Sequence, residues 1–335
     1  MRIRKILPAV LCMAALLIGT GASCDKSGKI KHKTITVAPK GPDFSADSAL
    51  AYCYAQCAFG PRVMNSPAHE QCAQWIKTQF ERLGCTVEMQ QATLTAYNGT
   101  ALRSTNIIAR YKPERPEHVL IAAHWDSRPW ADNDPDSANW RTPVMAANDG
   151  ASGVAVMIEV ARLLQQNDSL NVGVDFICFD AEDWGCPQWD NQHTGDGGWA
   201  LGADYWASHY QPEGYTTRFG ILLDMVGGEG AQFHQEGESR RLAGSIVDKV
   251  WSAAHAAGYS GYFPFKEGGN VTDDHIPVNQ KAGIPMADVI PFYPHCRESS
   301  FGPTWHTVND DMDHIDKNTL KAVGQTVVQV LYSEP

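Results

Sequence analysis

Basic side chains are in short supply: 27 Lys and Arg stand against 38 Asp and Glu, for a formal net charge of -11. Phosphate binding relies on a surplus of cations, so a nucleic-acid partner is excluded, and the acidic balance chiefly favours solubility. No GxSxG elbow, no Walker sequence and no dinucleotide-binding glycine pattern occurs, which removes support for serine-hydrolase, NTP and NAD chemistry. The nine cysteines are scattered and show no repeated CxxC spacing, which excludes a zinc knuckle. An exported chain permits disulfides, yet Cys53 and Cys57, one helical turn apart, suit two buried small residues at least as well as a bridge.

Long apolar runs are also missing, apart from Ile6 to Ile18, which is too short to span a bilayer comfortably. It follows a basic start at Arg2, Arg4 and Lys5 and precedes small residues before Cys24, the layout of a secretory signal. We expect residues 1–23 to be a signal peptide and 24–40 a polar tether. The mature chain is then exported, either periplasmic or held at the membrane by lipid on Cys24. No transmembrane domain is expected, and the state expected is a monomer.

What is present is enough for a full core: 335 residues, 43% of them hydrophobic and 19% charged. Apolar residues recur at helical spacing over Ser45 to Phe59 and Ala68 to Leu83. Strand-like runs follow at Thr86 to Ala92, Ser104 to Tyr111 and His118 to Ala123. Beyond them strands at Val172 to Phe179, Phe219 to Leu223 and Ala287 to Ile290 alternate with helices starting near Ala151, Ala200 and Arg241, and a last helix covers Asn318 to Leu331. The alternation predicts an α/β fold, a three-layer α/β/α sandwich with a central mixed, mainly parallel twisted sheet, as a single catalytic domain over 41–335.

Acidic residues gather where strands end or helices begin: Asp126, Asp149, Glu182, Asp183 and Asp224. Any one of them alone reads as a helix cap or loop acceptor. Together, carboxylates brought to one sheet edge repel unless protons or a cation neutralise them, and a metal is the economical answer.

The ordered motifs HWDSR (124–128), NDGASG (148–153), FDAEDWG (179–185), LLDMVGG (222–228), DDHIP (273–277) and WHTVNDD (305–311) resemble the zinc exopeptidase superfamily of aminopeptidases and its glutaminyl cyclase branch. The resemblance runs from about Phe59 to the C-terminus. It implies one Zn2+ held by Asp149, Asp183 and His306, with a fourth position open as a catalytic zinc requires. Glu182 is then the general acid/base, with Asp224 and Asp273 a pair of acids that bond each other and position substrate; of Asp273 and Asp274, one points inward. Trp305 lines the substrate pocket, with Trp189 a further candidate. His124 is either a ligand for a second metal or a hydrogen-bonding residue at a strand end. The substrates implied are peptides or proteins with N-terminal glutamine. A two-zinc aminopeptidase and a non-catalytic binding module on the same fold are the competing readings.

Overall fold

A computed structural model describes residues 40–193, 197–211 and 214–335. The expected signal peptide, Cys24 and all of the tether except Lys40 lie outside the described residues. Two helices come first. α1 (Ala46–Cys57) is capped by the Ser45 hydroxyl, which accepts from the amide of Ser48. α2 (Pro67–Arg82) is capped by Ser66 accepting from His69 N, with proline in its first turn, where the missing N–H costs nothing. Gly84 then turns the chain at φ +83°, a conformation suited to glycine, into β1.

The remaining elements, in chain order, are β1 (Thr86–Thr95), β2 (Ala101–Tyr111), β3 (Glu117–His124), α3 (Ala151–Gln166), β4 (Gly173–Phe179), α4 (Leu201–Ser208), β5 (Thr216–Leu223), α5 (Gly237–Ala256), α6 (His275–Pro277), β6 (Met286–Val289) and α7 (Lys317–Leu331). They form a six-stranded sheet in the order β1-β2-β4-β3-β5-β6. The β1–β2 hairpin is antiparallel and joins β4 antiparallel, whereas β4, β3, β5 and β6 run parallel. The mixed sheet agrees with the α/β/α sandwich read from the alternation of strands and helices.

Burial along β3 shows how the layers arise. Val119, Ile121 and Ala123 face a core shared with α1, α2, α3, α5 and α7, while Leu120 and Ala122 face a smaller core that includes Ala203 and Trp206 of α4. The two-residue period of a strand thus feeds both faces, and every residue of β4 is buried, as a central strand covered on both faces requires. Each buried Val, Leu or Ile side chain contributes about 1.5–3 kcal/mol. Packing is close where α3 crosses β5: a Cβ on Gly153 would lie 2.2 Å from the carbonyl oxygen of Leu223.

Most elements lie within a few residues of their expected positions. α5 begins at Gly237, ahead of the expected Arg241, because the Glu236 carboxylate accepts from the amides of Glu238 and Ser239 and caps the helix earlier. The last three residues of DDHIP form α6, continued by a π-helical turn at Val278–Ala282.

Candidate metal centre and substrate cavity

Because β3, β4, β5 and β6 are parallel, their C-terminal ends share one edge, and the chain leaves three of them, β3, β4 and β5, at a polar residue. β3 ends on His124, β4 runs into Asp180–Asp183 and β5 into Asp224. Left-handed backbone marks these exits: Ala181 (φ 53°) precedes Glu182, Met225 (φ 50°) follows Asp224, and His306 itself has φ 54°. None is glycine, so each costs on the order of 1 kcal/mol or more and persists because neighbouring bonds hold it.

Asp149, Asp183 and His306, far apart in sequence, converge so that their ligand atoms lie within 4.8 Å of one another, all buried. His306 Nε2 is 3.2 Å from Asp183 Oδ1 and 3.6 Å from Asp149 Oδ2. Burial, with the Arg128 guanidinium next, holds the His306 imidazole well below its ordinary pKa, so its nitrogen lone pair is available. Burial and the facing Asp149 push Asp183 well above the usual carboxylate range, and Asp183 Oδ2 is buried without a hydrogen-bond partner. Two crowded carboxylates, an orphaned oxygen and a neutral imidazole are the donor set a divalent cation satisfies.

His124 organises the other side of the centre. Its Nε2 is 2.8 Å from Asp149 Oδ1 and 3.1 Å from Asp224 Oδ1, and its Nδ1 faces Asp126 Oδ1 at 3.5 Å. His124, Asp149 and Asp224 thus form a second ligand-like group sharing Asp149 with the first. Gly150 permits this approach, since a Cβ there would lie 2.6 Å from the His124 carbonyl oxygen.

Beside the trio lies a cavity of about 250 Å³, lined by Glu182, Asp224, Asp273, Trp199 and Trp305 together with Asp149 and His306. Trp305 stacks on the His306 ring at 3.8 Å, and Trp199 lies parallel to the same ring at 5.9 Å. Burial raises the Glu182 carboxyl well above its ordinary value. Asp224 is pushed up to about 7, first by burial and then by the charge of Asp273.

The site departs from the sequence reading at specific residues. Trp189 does not line the cavity; it packs parallel to Trp140 at 6.1 Å with Arg141 over its face, and Trp199 stands at the cavity instead. Asp224 bonds to His124, while Asp273 faces Asp288 and His275. Burial and then the charge of Asp273 push Asp288 well above the usual carboxylate range, and Asp273 Oδ2 and both Asp288 oxygens are buried without hydrogen-bond partners. Asp273 and Asp274 are both buried, and of the two only Asp273 lines the cavity. Arg128 carried no assigned role. Fully enclosed, it pairs with both oxygens of Asp132 (2.7 and 2.8 Å) and donates to Asp183 Oδ1 at 3.2 Å. Its place in HWDSR, two residues after Asp126, was the available signal.

The family model for peptidase family M28 matches residues 106–331, two thirds of the chain. The chain belongs to this family. A glutaminyl cyclase from Bacteroides thetaiotaomicron, solved bound to N-acetylhistamine, is 49% identical with a TM-score of 0.84, covering 88% of this chain and 100% of that one. Glutaminyl-peptide cyclotransferase of Bos taurus is 24% identical over 298 residues, 82% of this chain and 78% of its own length. Aminopeptidase YwaD of Bacillus subtilis (strain 168) is 28% identical over 255 residues, 73% of this chain; the match spans about half, 48%, of that relative's own length.

Proposed function

We propose that this protein is a glutaminyl-peptide cyclotransferase, an acyltransferase that closes the N-terminal glutamine of peptides and proteins to pyroglutamate and releases ammonia. The observation that carries the reading is the small cavity, walled by Trp199 and Trp305, which the Glu182, Asp224 and Asp273 carboxyls line together with Asp149 and His306 of the trio of metal-binding type. About 250 Å³ suits one curled side chain.

Asp149, Asp183 and His306 would hold a single zinc ion, which when bound supplies a Lewis acid for the glutamine γ-carbonyl. One ion is expected because His124 already serves Asp149 and Asp224 through hydrogen bonds. Glu182 takes a proton from the α-amine and returns it to the departing amide nitrogen; its burial keeps its basicity within reach of both tasks. Asp224 and Asp273, which line the same cavity, receive the substrate amine, and Trp305 and Trp199 shield the reacting atoms from water. Nucleophile and electrophile belong to one residue, so the protein chiefly has to select the folded conformer.

We place the chain outside the cytoplasm, as a periplasmic monomer or one anchored through Cys24, on the strength of its basic and apolar N-terminus. Among the described residues no helix is long and apolar enough to cross a membrane.

The second reading, a two-metal aminopeptidase, is favoured by the His124, Asp149 and Asp224 group. Mass spectrometry of a Gln-initiated peptide incubated with the protein, with and without a chelator, separates the two. Chelator-sensitive loss of ammonia with the chain length intact is the expected result; release of free glutamine would overturn it.

A further inference from the structure

The loops of the centre are held by carboxylates that face away from the cavity. Asp126, fully buried beyond β3, accepts the amide of Glu182 on Oδ1 (3.1 Å) and that of Asp183 on Oδ2 (3.2 Å). Asp310, in the loop that follows His306, accepts the amide of Asn148 on Oδ1 (2.8 Å) and that of Asp149 on Oδ2 (3.0 Å). A further bond from Ala147 N to the Asp310 carbonyl (3.3 Å) laces the same two segments. Both carboxylates do the same thing: each brackets two successive N–H groups, one belonging to a residue of the metal trio.

The brackets join remote parts of the chain. Asp126 ties the end of β3 to the exit of β4, and Asp310 ties the His306 loop to the start of α3. Each lies close to a strained residue, Ala181 (φ 53°) directly before the Asp126 bracket and Ala146 (φ 57°) two residues before the Asp310 bracket. Alanine in left-handed backbone relaxes unless its neighbours fix it, and a carboxyl group gripping two successive amides, one on each oxygen, is a strong local constraint.

We infer that Asp126 and Asp310 are positioning residues that set the spacing of Asp149, Asp183 and His306, so that the trio meets a divalent cation ready-shaped. The inference rests on reading those three as zinc ligands. Asparagine keeps the shape of either bracket but turns an NH2 toward one of its two amides, replacing a hydrogen bond by two opposed donors.

The test measures zinc affinity by competition with a chromogenic chelator in D126N, D310N and the control D175N, at a temperature where circular dichroism shows each folded. Asp175 is also a buried carboxylate, on β4, bonded to His118 and Tyr215 away from the cavity. Zinc binding about 10- to 100-fold weaker in D126N and D310N, with D175N at the wild-type value, is the expected result. A bracket variant that folds only in excess zinc also supports the inference. Wild-type affinity in both bracket variants, equal weakening in D175N, or bracket variants that stay unfolded in excess zinc would overturn it. A wild-type chain that takes up no zinc overturns the ligand assignment itself, and this inference with it.

Discussion

Strand β3 carries a buried histidine at each end, and the two are treated in opposite ways. His118 has all it needs: Nδ1 meets Asp175 at 2.8 Å, Nε2 meets the Arg115 carbonyl at 3.1 Å, and Tyr215 stacks on the ring at 3.7 Å. At the other end His124 faces Asp126, Asp149 and Asp224 at once, and these raise its pKa well above the ordinary value against the opposing pull of burial. The first end is a closed structural pair. The second carries more acid than its own cations balance, with Asp183 Oδ2 left over, and such an imbalance calls for something brought in from solution.

If the contrast is real, changes at the two ends must separate function from stability. The largest effect is expected for His306→Ala, which should release zinc and reduce turnover to background; elemental analysis of the purified variant checks the first part and a pyroglutamate assay the second. Next comes Glu182→Gln, which should lower kcat by about 10²- to 10⁴-fold while zinc stays bound, a pairing that reveals acid/base work and not ligation. Trp305→Ala should weaken kcat/KM by roughly 10-fold, chiefly through KM, because it removes one wall of the cavity. Asp175→Asn should leave kcat unchanged and cost about 1–3 kcal/mol in a denaturant melt, because the amide keeps only one of the two oxygens that accept from His118 and Tyr215.

A smaller effect concerns acid. Glu236 caps α5 and faces His275 Nε2 at 3.3 Å. Despite burial, which alone would raise it, contact with His275 and the α5 amides lowers its pKa to about 2. A depressed carboxylate contributes stability that is present above its unfolded pKa and is lost as pH falls through its folded value. Glu236→Gln should therefore flatten the stability-against-pH curve between about pH 4.5 and 2, removing on the order of 2 kcal/mol, as followed by thermal melts.

Much of this was legible in the sequence, and the reasons are physical. Strands and helices of opposite hydrophobic period announce themselves, so the alternating order and most boundaries were readable. The convergence of Asp149, Asp183 and His306 came from ordered motifs spread over the chain. What composition and spacing do not convey is side-chain direction inside loops. Trp189 and Trp199 stand in the same tryptophan-rich segment, and the bridge from Trp199 to Asp183, with the bonds from the Ala200 and Leu201 amides to the Glu182 and Ala181 carbonyls, brings Trp199 to the cavity. The Asp273 partner was hidden for a related reason: Asp288 sits within the short apolar strand β6, where a lone carboxylate was the one available hint.

The most direct test is crystallisation of the zinc-loaded chain with diffraction recorded on either side of the zinc absorption edge. A single anomalous peak bounded by Asp149, Asp183 and His306 is predicted. A peak elsewhere, among His124, Asp149 and Asp224 alone or at Asp273, His275 and Asp288, would contradict the account.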